Sequence, residues 1–351
     1  MRELNFADSI KEATDFCLGE DESVLLVGLG VPDPKGIFGT TIGLQDKYGS
    51  DRVMDMPLAE NGMTGVMIGA SLNGFRPILT HQRVEFALLS IEQIVNQAAK
   101  WYYMNAGQQH VPLVIRLIVG RGWGQGAQHS QSLESWFAHI PGLKVVMPSN
   151  AYDAKGMLIS SVEDNNPVIF IEHRWLHNTV DYVPVDGYRV PIGKAKIARE
   201  GKDLTIVAHS YMVLESLRCA EVLADYGISI EVIDLRTIRP LDTDTILSSV
   251  SKTLRVLVAD NGWVKFGVSA EIVSVISETI FEKLICAPVR IGINDSPSPS
   301  TRALANNFYP RAENLAQLIS DMMGINIKIR DLFPKSDRPL DIPDPSFTGP
   351  F

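Results

Sequence analysis

Residues 53–73 read VMDMPLAENGMTGVMIGASLN. Val53–Met56 is a short apolar run that Pro57 ends, and from Met63 to Asn73 the apolar residues recur at helical spacing. A strand, a tight connection and a helix form the front of a strand–helix–strand unit. The same alternation extends in both directions. Strands are expected at Val24–Val27, Val114–Val119, Val145–Met147 and Val168–Glu172, and in a second series at Leu204–Ala208, Ile230–Leu235, Val256–Ala259 and Val289–Ile293. These runs are continuously apolar, the mark of parallel strands buried on both faces. Helical patterns lie between them at Ser90–Met104, Ala151–Asp164, Met212–Tyr226, Ser269–Glu282 and Ala312–Met323. In the first of these, Ile91, Ile94, Val95, Ala98 and Trp101 share one face. The pattern predicts an α/β protein of two doubly wound domains. Tyr182–Lys196 lacks helical periodicity and contains Pro184, Gly187 and Pro191, so the boundary is placed there. The expected domains are 1–190 and 195–330, followed by an extended Pro-rich tail, 331–351.

Composition narrows the function. Lys and Arg total 32 against 41 Asp and Glu, a formal charge of −9. Such a chain has no general attraction to a phosphate backbone, so nucleic acid is not an expected partner. The longest apolar runs, Val24–Val31 and Val111–Gly120, are too short to span a bilayer. The opening MRELNFADSIKEATDF has neither an apolar core nor an Arg/Ser-rich bias, so no targeting segment is expected. Three dispersed cysteines (Cys17, Cys219, Cys286) fit a reducing compartment and no disulfide framework. The location these features imply is cytoplasmic, of bacterial type, ahead of the mitochondrial matrix.

Several motifs are weighed by what their chemistry requires. GLGVPD (28–33) follows a strand, but Asp33 stands where a dinucleotide fingerprint needs its third glycine, and Pro32 and Pro34 flank it. GRGWGQG (120–126) is not a P-loop, since no Lys-Ser/Thr follows, yet a flexible loop after a strand is where α/β proteins place ligands. There is no G-x-S-x-G elbow and no local His/Asp/Glu cluster at metal-ligand spacing. Glu60 sits between strand and helix. It is either a carboxylate at a helix N-terminus or a partly desolvated group suited to proton transfer. His129, in GAQHSQS, is either a structural loop residue or a proton donor near a reacting carbonyl. Phe86 reads as core. Arg236 and Arg239, in RTIRP, read as a structural turn before an anion site.

Taken together, ordered stretches across residues 5–324 resemble one family. They include PLAENGMTGVMIGASLNGFRPI (57–78), SIEQIVNQAAKWYYMNAG (90–107), GAQHSQSLESWFAHIPGLKVVMPSNAYDAKGML (126–158), EDNNPVIFIE (163–172), VPIGKAKI (190–197), DLRTIRPLD (234–242) and GWVKFGVSAEI (262–272). The family is the β-subunit of thiamine-diphosphate-dependent 2-oxo acid dehydrogenases, the decarboxylating component of pyruvate, branched-chain and acetoin complexes. The resemblance implies a transketolase-like pyrimidine-binding domain followed by a transketolase C-terminal domain. It implies thiamine diphosphate with Mg2+ held mainly by an α-type subunit through a Gly-Asp-Gly motif. That motif is absent here. A 2+2 heterotetramer, and beyond it a lipoyl acyltransferase core, are the implied partners, with a small 2-oxo acid as substrate. The second domain is expected to serve assembly more than chemistry.

Residue by residue, Glu60 matches the glutamate that hydrogen-bonds N1′ of the aminopyrimidine, and Phe86 matches the aromatic that stacks on that ring. Leu58 and Gln82 match other positions of the pyrimidine pocket. His129 matches the histidine on the substrate side. Ser161, Asp164 and Asn166 fall in a turn resembling one that binds K+ through backbone carbonyls. The chain also departs from the family. Gly28-Leu29-Gly30-Val31 lacks the two acids usual there, and His81, Gln82, Arg83 and Glu85 replace a largely apolar stretch. Arg121 and Trp123 add a charge and a ring near the His129 loop. A polar pocket in which Arg83 and Arg121 meet an extra anionic substrate group is one expectation. Two other functions stay open: a transketolase-like or carboligase enzyme with a carbonyl acceptor, and a non-catalytic interaction subunit.

Overall fold

A computed structural model describes residues 1–122, 124–329 and 332–333. The expected tail lies almost wholly outside the described residues, as does Trp123. In chain order the strands of the first half are β1 (Arg2–Asn5), β2 (Val24–Gly28), β3 (Val53–Met54), β4 (Arg76–His81), β5 (Val114–Val119), β6 (Lys144–Val146), β7 (Val168–His173) and β8 (Val180–Val183). Those of the second are β9 (Lys196–Arg199), β10 (Leu204–Ala208), β11 (Ile230–Asp234), β12 (Thr237–Arg239), β13 (Val256–Trp263) and β14 (Val289–Ile293).

The main sheet has the order β12-β6-β7-β5-β4-β2-β3. All its pairs are parallel except β12–β6. The second sheet, β14-β13-β10-β11-β9, is parallel except for β9 at its edge. β1 and β8 form a separate antiparallel pair. The continuous apolar runs are what make this arrangement stable: every residue of β2, β5, β7, β10 and β11 is buried. Each fully buried aliphatic side chain contributes about 1.5–3 kcal/mol.

The halves are not separate bodies. β12 comes from the second half and pairs with β6 of the first sheet. One apolar core includes Leu79 and Ile115 of the first half with Ile233, Val250 and Ile276 of the second. Arg236 and Arg239 are structural here. Arg236 forks onto Asp153, Nη2 to Oδ1 at 2.6 Å and Nε to Oδ2 at 3.0 Å, and Arg239 donates to the Ala138 carbonyl at 2.8 Å.

Helix boundaries follow local chemistry. The Phe6–Glu20 helix, which periodicity passed over, starts where the Asn5 side chain accepts the Asp8 N–H at 2.7 Å. Asn150 does the same for Ala151–Glu163, accepting from Asp153 N at 2.8 Å. The helix expected over Ser90–Met104 is irregular. A 3-10 turn covers Val84–Ser90, and residues 91–104 then run as one helix with a π-helical stretch at Gln93–Ala98 and α-helix at Ala99–Met104. Gly142 lies against that last segment: any Cβ there, at φ +103°, would strike the Ala99 carbonyl. β4 and the Thr243–Thr253 helix also went unpredicted. Pro77 and the polar end Thr80-His81 hide β4 from an apolar-run reading, although Pro77 to His81 is buried.

Candidate functional site

The carboxyl ends of the parallel strands β2, β4, β5 and β7 meet on one edge of the first sheet, where open α/β sheets place ligands. Glu60 opens the Glu60–Leu72 helix and is buried, 8% exposed. Its carbonyl accepts the Thr64 hydroxyl at 2.8 Å. That helix packs on the Val84–Ser90 turn, which carries Phe86. The turn is therefore the surface that joins the Glu60 region to the strand β4 exit.

Phe86 lies beside His129, ring centroids 5.7 Å apart and tilted by 56°. His129 ends the short Gly126–His129 helix after β5. Its Nδ1 is 2.5 Å from Glu85 Oε1. Glu85 is buried, and burial raises its pKa against the lowering effect of the His129 bond. The imidazole itself is 44% exposed at its side chain. Glu85 thus holds the ring through one nitrogen and leaves Nε2 without a role in that contact. The sequence signal for Glu85 was present, a charge in a stretch otherwise apolar in the family, but only tertiary structure pairs it with His129.

Gln82 donates from Nε2 to the Leu29 carbonyl at 3.1 Å. Leu58 is 77% exposed on this chain. Arg83 follows, its Nε on Gln125 Oε1 at 3.2 Å and its Nη1 on the Gln82 carbonyl at 3.1 Å. The loop after β2 is a tight turn: Gly30 has φ +75°, and its N–H donates to Asp55 Oδ1 at 2.9 Å.

Arg121 does not face a substrate. It is 4% exposed, with its guanidinium 4.1 Å from the Tyr309 ring centroid, 4.3 Å from Trp175 and 5.1 Å from Tyr211. Burial pushes it down to about 10. Its partners come from both halves of the chain, so it fastens them together. The reason is steric: the aromatic rings converge from other elements and close over the guanidinium.

The supposed potassium turn is already engaged by a cation. Arg76 Nη1 donates to the Val162 carbonyl at 3.0 Å and to the Asp164 carbonyl at 3.2 Å, and Nη2 to Asn165 Oδ1 at 2.7 Å. The Ser161 carbonyl accepts the Asp164 N–H, and the Asp164 carboxylate takes Lys144 and the Asn166 N–H. Of the three carbonyls expected to face K+, that of Asp164 is the one Arg76 takes.

A second buried group bridges the halves. His209 Nε2 lies 3.5 Å from Glu134 Oε1 and 3.8 Å from Asp260 Oδ1, all three buried. Burial alone would push His209 down, but Glu134 and Asp260 outweigh it and the net shift is upward. This is the His/acid cluster that sequence spacing did not reveal, because its members stand on three separate elements. The geometry places one imidazole nitrogen between two carboxylates.

The residues fit one half of a cofactor site. A buried carboxylate, an aromatic face, an amide and a histidine suit a flat nitrogen heterocycle, whereas the sequence has no Gly-Asp-Gly motif for a metal-bound diphosphate.

Comparison with known proteins assigns a domain family to each half of the chain. Residues 2–179 match the transketolase pyrimidine-binding domain and residues 193–315 the transketolase C-terminal domain. The mitochondrial pyruvate dehydrogenase E1 component subunit beta of Drosophila melanogaster is 42% identical over 330 residues, 92% of this chain and 90% of that protein. That of Mus musculus is 40% identical over 328 residues, covering 92% and 91%. The Oryza sativa subsp. japonica subunit beta-1 is 42% identical over 320 residues, covering 90% and 86%. A solved split-gene transketolase, an inactive beta4 tetramer, superposes with TM-score 0.75 at 21% identity, covering 92% of this chain and 99% of that one, a likeness of fold. These relatives overturn the expected bacterial-type cytoplasmic location: those of fly, mouse and rice are all named mitochondrial. Composition could not make that distinction, because both compartments keep thiols reduced.

Proposed function

The chain belongs to the family of pyruvate dehydrogenase E1 beta subunits, and from that premise we propose that it is the beta subunit of a thiamine-diphosphate enzyme decarboxylating a 2-oxo acid. The observation that carries this reading is that the helix Glu60 opens packs on the turn carrying Phe86, and that Phe86 lies beside the His129 ring held by Glu85.

When bound, thiamine diphosphate supplies the electron sink that lets a 2-oxo acid lose CO2. The chain's own residues would do the following. Glu60 shares a proton with a ring nitrogen of the aminopyrimidine; its burial keeps that exchange out of bulk water. Phe86 offers its ring face. Leu58 and Gln82 border the same ring. His129 holds or gives a proton at Nε2 on the substrate side, oriented by Glu85 through Nδ1. An α-type subunit, paired two to two with this one, would cover the exposed Leu58 and supply the Mg2+ and diphosphate ligands. A lipoyl group on an acyltransferase core would then accept the acyl unit.

The test is reconstitution with an α-type subunit. A heteromer that binds thiamine diphosphate, releases CO2 from a 2-oxo acid and reduces lipoyl acceptor supports the reading in full. CO2 release with carbon–carbon bond formation, and no lipoyl reduction, replaces it with a carboligase. A heteromer with no turnover of any 2-oxo acid rejects it.

A further inference from the structure

The second sheet has a switch point of its own. β10 and β13 pair with each other, but β10 leads on to β11 on one side and β13 to β14 on the other. The chain leaves the carboxyl ends of these two strands in opposite directions, which is where open α/β sheets hold ligands. Ala208 pairs with Ala259, so the next residues, His209 and Asp260, are neighbours at that point. Glu134, the first residue of the Glu134–Ala138 helix, closes on them from the first half of the chain.

Three buried groups meet there at a distance. His209 Nε2 is 3.5 Å from Glu134 Oε1 and 3.8 Å from Asp260 Oδ1. Both contacts exceed the about 2.7–3.2 Å of an N–H···O hydrogen bond. His209 is 1% exposed, and its Nε2 has no hydrogen-bond partner among the described residues. A buried polar atom left so calls for a missing partner, and an ion is one. Ligands about 2.0–2.2 Å from a tetrahedral zinc stand about 3.3–3.6 Å apart. The two histidine contacts fall at and just beyond that length, and all three ligand atoms lie within 4.8 Å of one another. Charge points the same way: an imidazolium balances one ionised carboxylate, whereas a divalent cation balances both.

The groups behind the ligands are in place. The Ser132 hydroxyl donates to Glu134 Oε2 at 2.6 Å, and Asn261 Nδ2 donates to Ser132 Oγ at 2.9 Å. The Ser269 N–H donates to Asp260 Oδ2 at 2.8 Å, and the Gly262 N–H to Asp260 Oδ1 at 3.1 Å. Each carboxylate is tied by its far oxygen while its near oxygen faces His209, the way outer hydrogen bonds orient metal ligands. Gly262 keeps the centre open, since a Cβ there would lie 2.8 Å from Glu134 Oε1. Ser132, Glu134 and Gly262 also line a cavity of about 450 Å3, from which water can complete the coordination.

We propose that Glu134, His209 and Asp260 bind one divalent transition-metal ion of the zinc type, with water as fourth ligand, and that the ion fastens the first half of the chain to the second. A nitrogen with two carboxylate oxygens favours such an ion over Mg2+, which takes oxygen ligands. The site stands whether or not the chain is a decarboxylating subunit.

The experiment uses the full-length chain, stripped with EDTA and dialysed. Zn2+ is the probe, its affinity read by competition with a chromophoric chelator and its count by elemental analysis. One Zn2+ per chain is expected, with the thermal midpoint raised by about 2–5 °C at Zn2+ about a hundred times its Kd. Ser132→Ala removes the hydroxyl that holds Glu134 and should weaken binding about ten- to a hundredfold. Glu134→Gln and His209→Gln remove ligands and should weaken it further. Ser132→Ala carries the test if either of these fails to fold. A chain that retains no zinc overturns the proposal. So does zinc binding that all three substitutions leave unchanged, which would put the ion on other side chains, or Mg2+ binding as tightly as Zn2+. Stoichiometric zinc with an unmoved midpoint overturns the fastening role.

Discussion

Glu85 Oε1 stands 2.5 Å from His129 Nδ1, so a buried carboxylate holds a half-exposed imidazole by one of its two nitrogens. The bond sets the tautomer and orientation together. Glu85→Gln keeps the shape and removes the anion. The expected result is a loss in kcat of about ten- to a hundredfold, within the range of general acid–base assistance. Glu85→Asp should restore part of the rate. A purely structural Glu85 would lower thermal stability on substitution and leave kcat of the folded heteromer in place.

Glu60→Gln separates an enzyme from an interaction subunit. If Glu60 shares a proton with the cofactor, the amide should lower decarboxylation by the reconstituted heteromer by about 10²-fold or more. Urea unfolding should change little, because Gln also tolerates the first turn of a helix. Full activity in Glu60→Gln would sink the assigned role.

His81 makes stability depend on pH. It is 3% exposed, its Nε2 has no hydrogen-bond partner among the described residues, and burial lowers it from 6.5 to about 4. The unfolded chain therefore binds a proton that the folded chain refuses between pH 6.5 and 4. Stability from this residue is whole above 6.5 and falls as the pH drops toward 4, by about 1.4 kcal/mol per pH unit. Urea midpoints measured across that window should fall less steeply in His81→Gln than in the unaltered chain. Equal slopes would show that His81 is not desolvated.

Arg116 and Glu172 form a fully buried ion pair, Nε to Oε1 at 2.6 Å and Nη2 to Oε2 at 3.1 Å, with Thr40 Oγ1 accepting from Nη2 at 3.0 Å. The charge of Arg116 holds Glu172 below its usual range against the opposing effect of burial. Arg116→Met should cost about 3–5 kcal/mol, since it strands a buried carboxylate. Equilibrium denaturation reads this directly, and a loss under about 1 kcal/mol would mean that His177, 3.4 Å from Glu172, takes over as partner.

Much of the fold was legible because buried parallel strands write themselves as continuous apolar runs. Val114–Val119, Leu204–Ala208 and Val289–Ile293 are strands with the boundaries periodicity gives. The Ala312–Met323 helix likewise ends where Gly324 takes φ +66°. β4 was hidden by its own polar end, and the irregular Val84–Met104 segment by an amphipathic pattern that suits several helical geometries.

The sequence by itself determined the α/β class, the two-part order and the identity of Glu60, Phe86 and His129 as residues to watch, since helical and strand periods and ordered motifs are local properties. Tertiary structure alone decided which charges meet. It paired Glu85 with His129, set Arg174 beside Arg83 across Phe38, and closed Arg121 into an aromatic cage. It also brought Glu134, His209 and Asp260 together from both halves. Electrostatic and ring contacts act over a few ångströms of space, and adjacent strands of a crossover sheet are far apart along the chain. No spacing rule in the sequence records those distances.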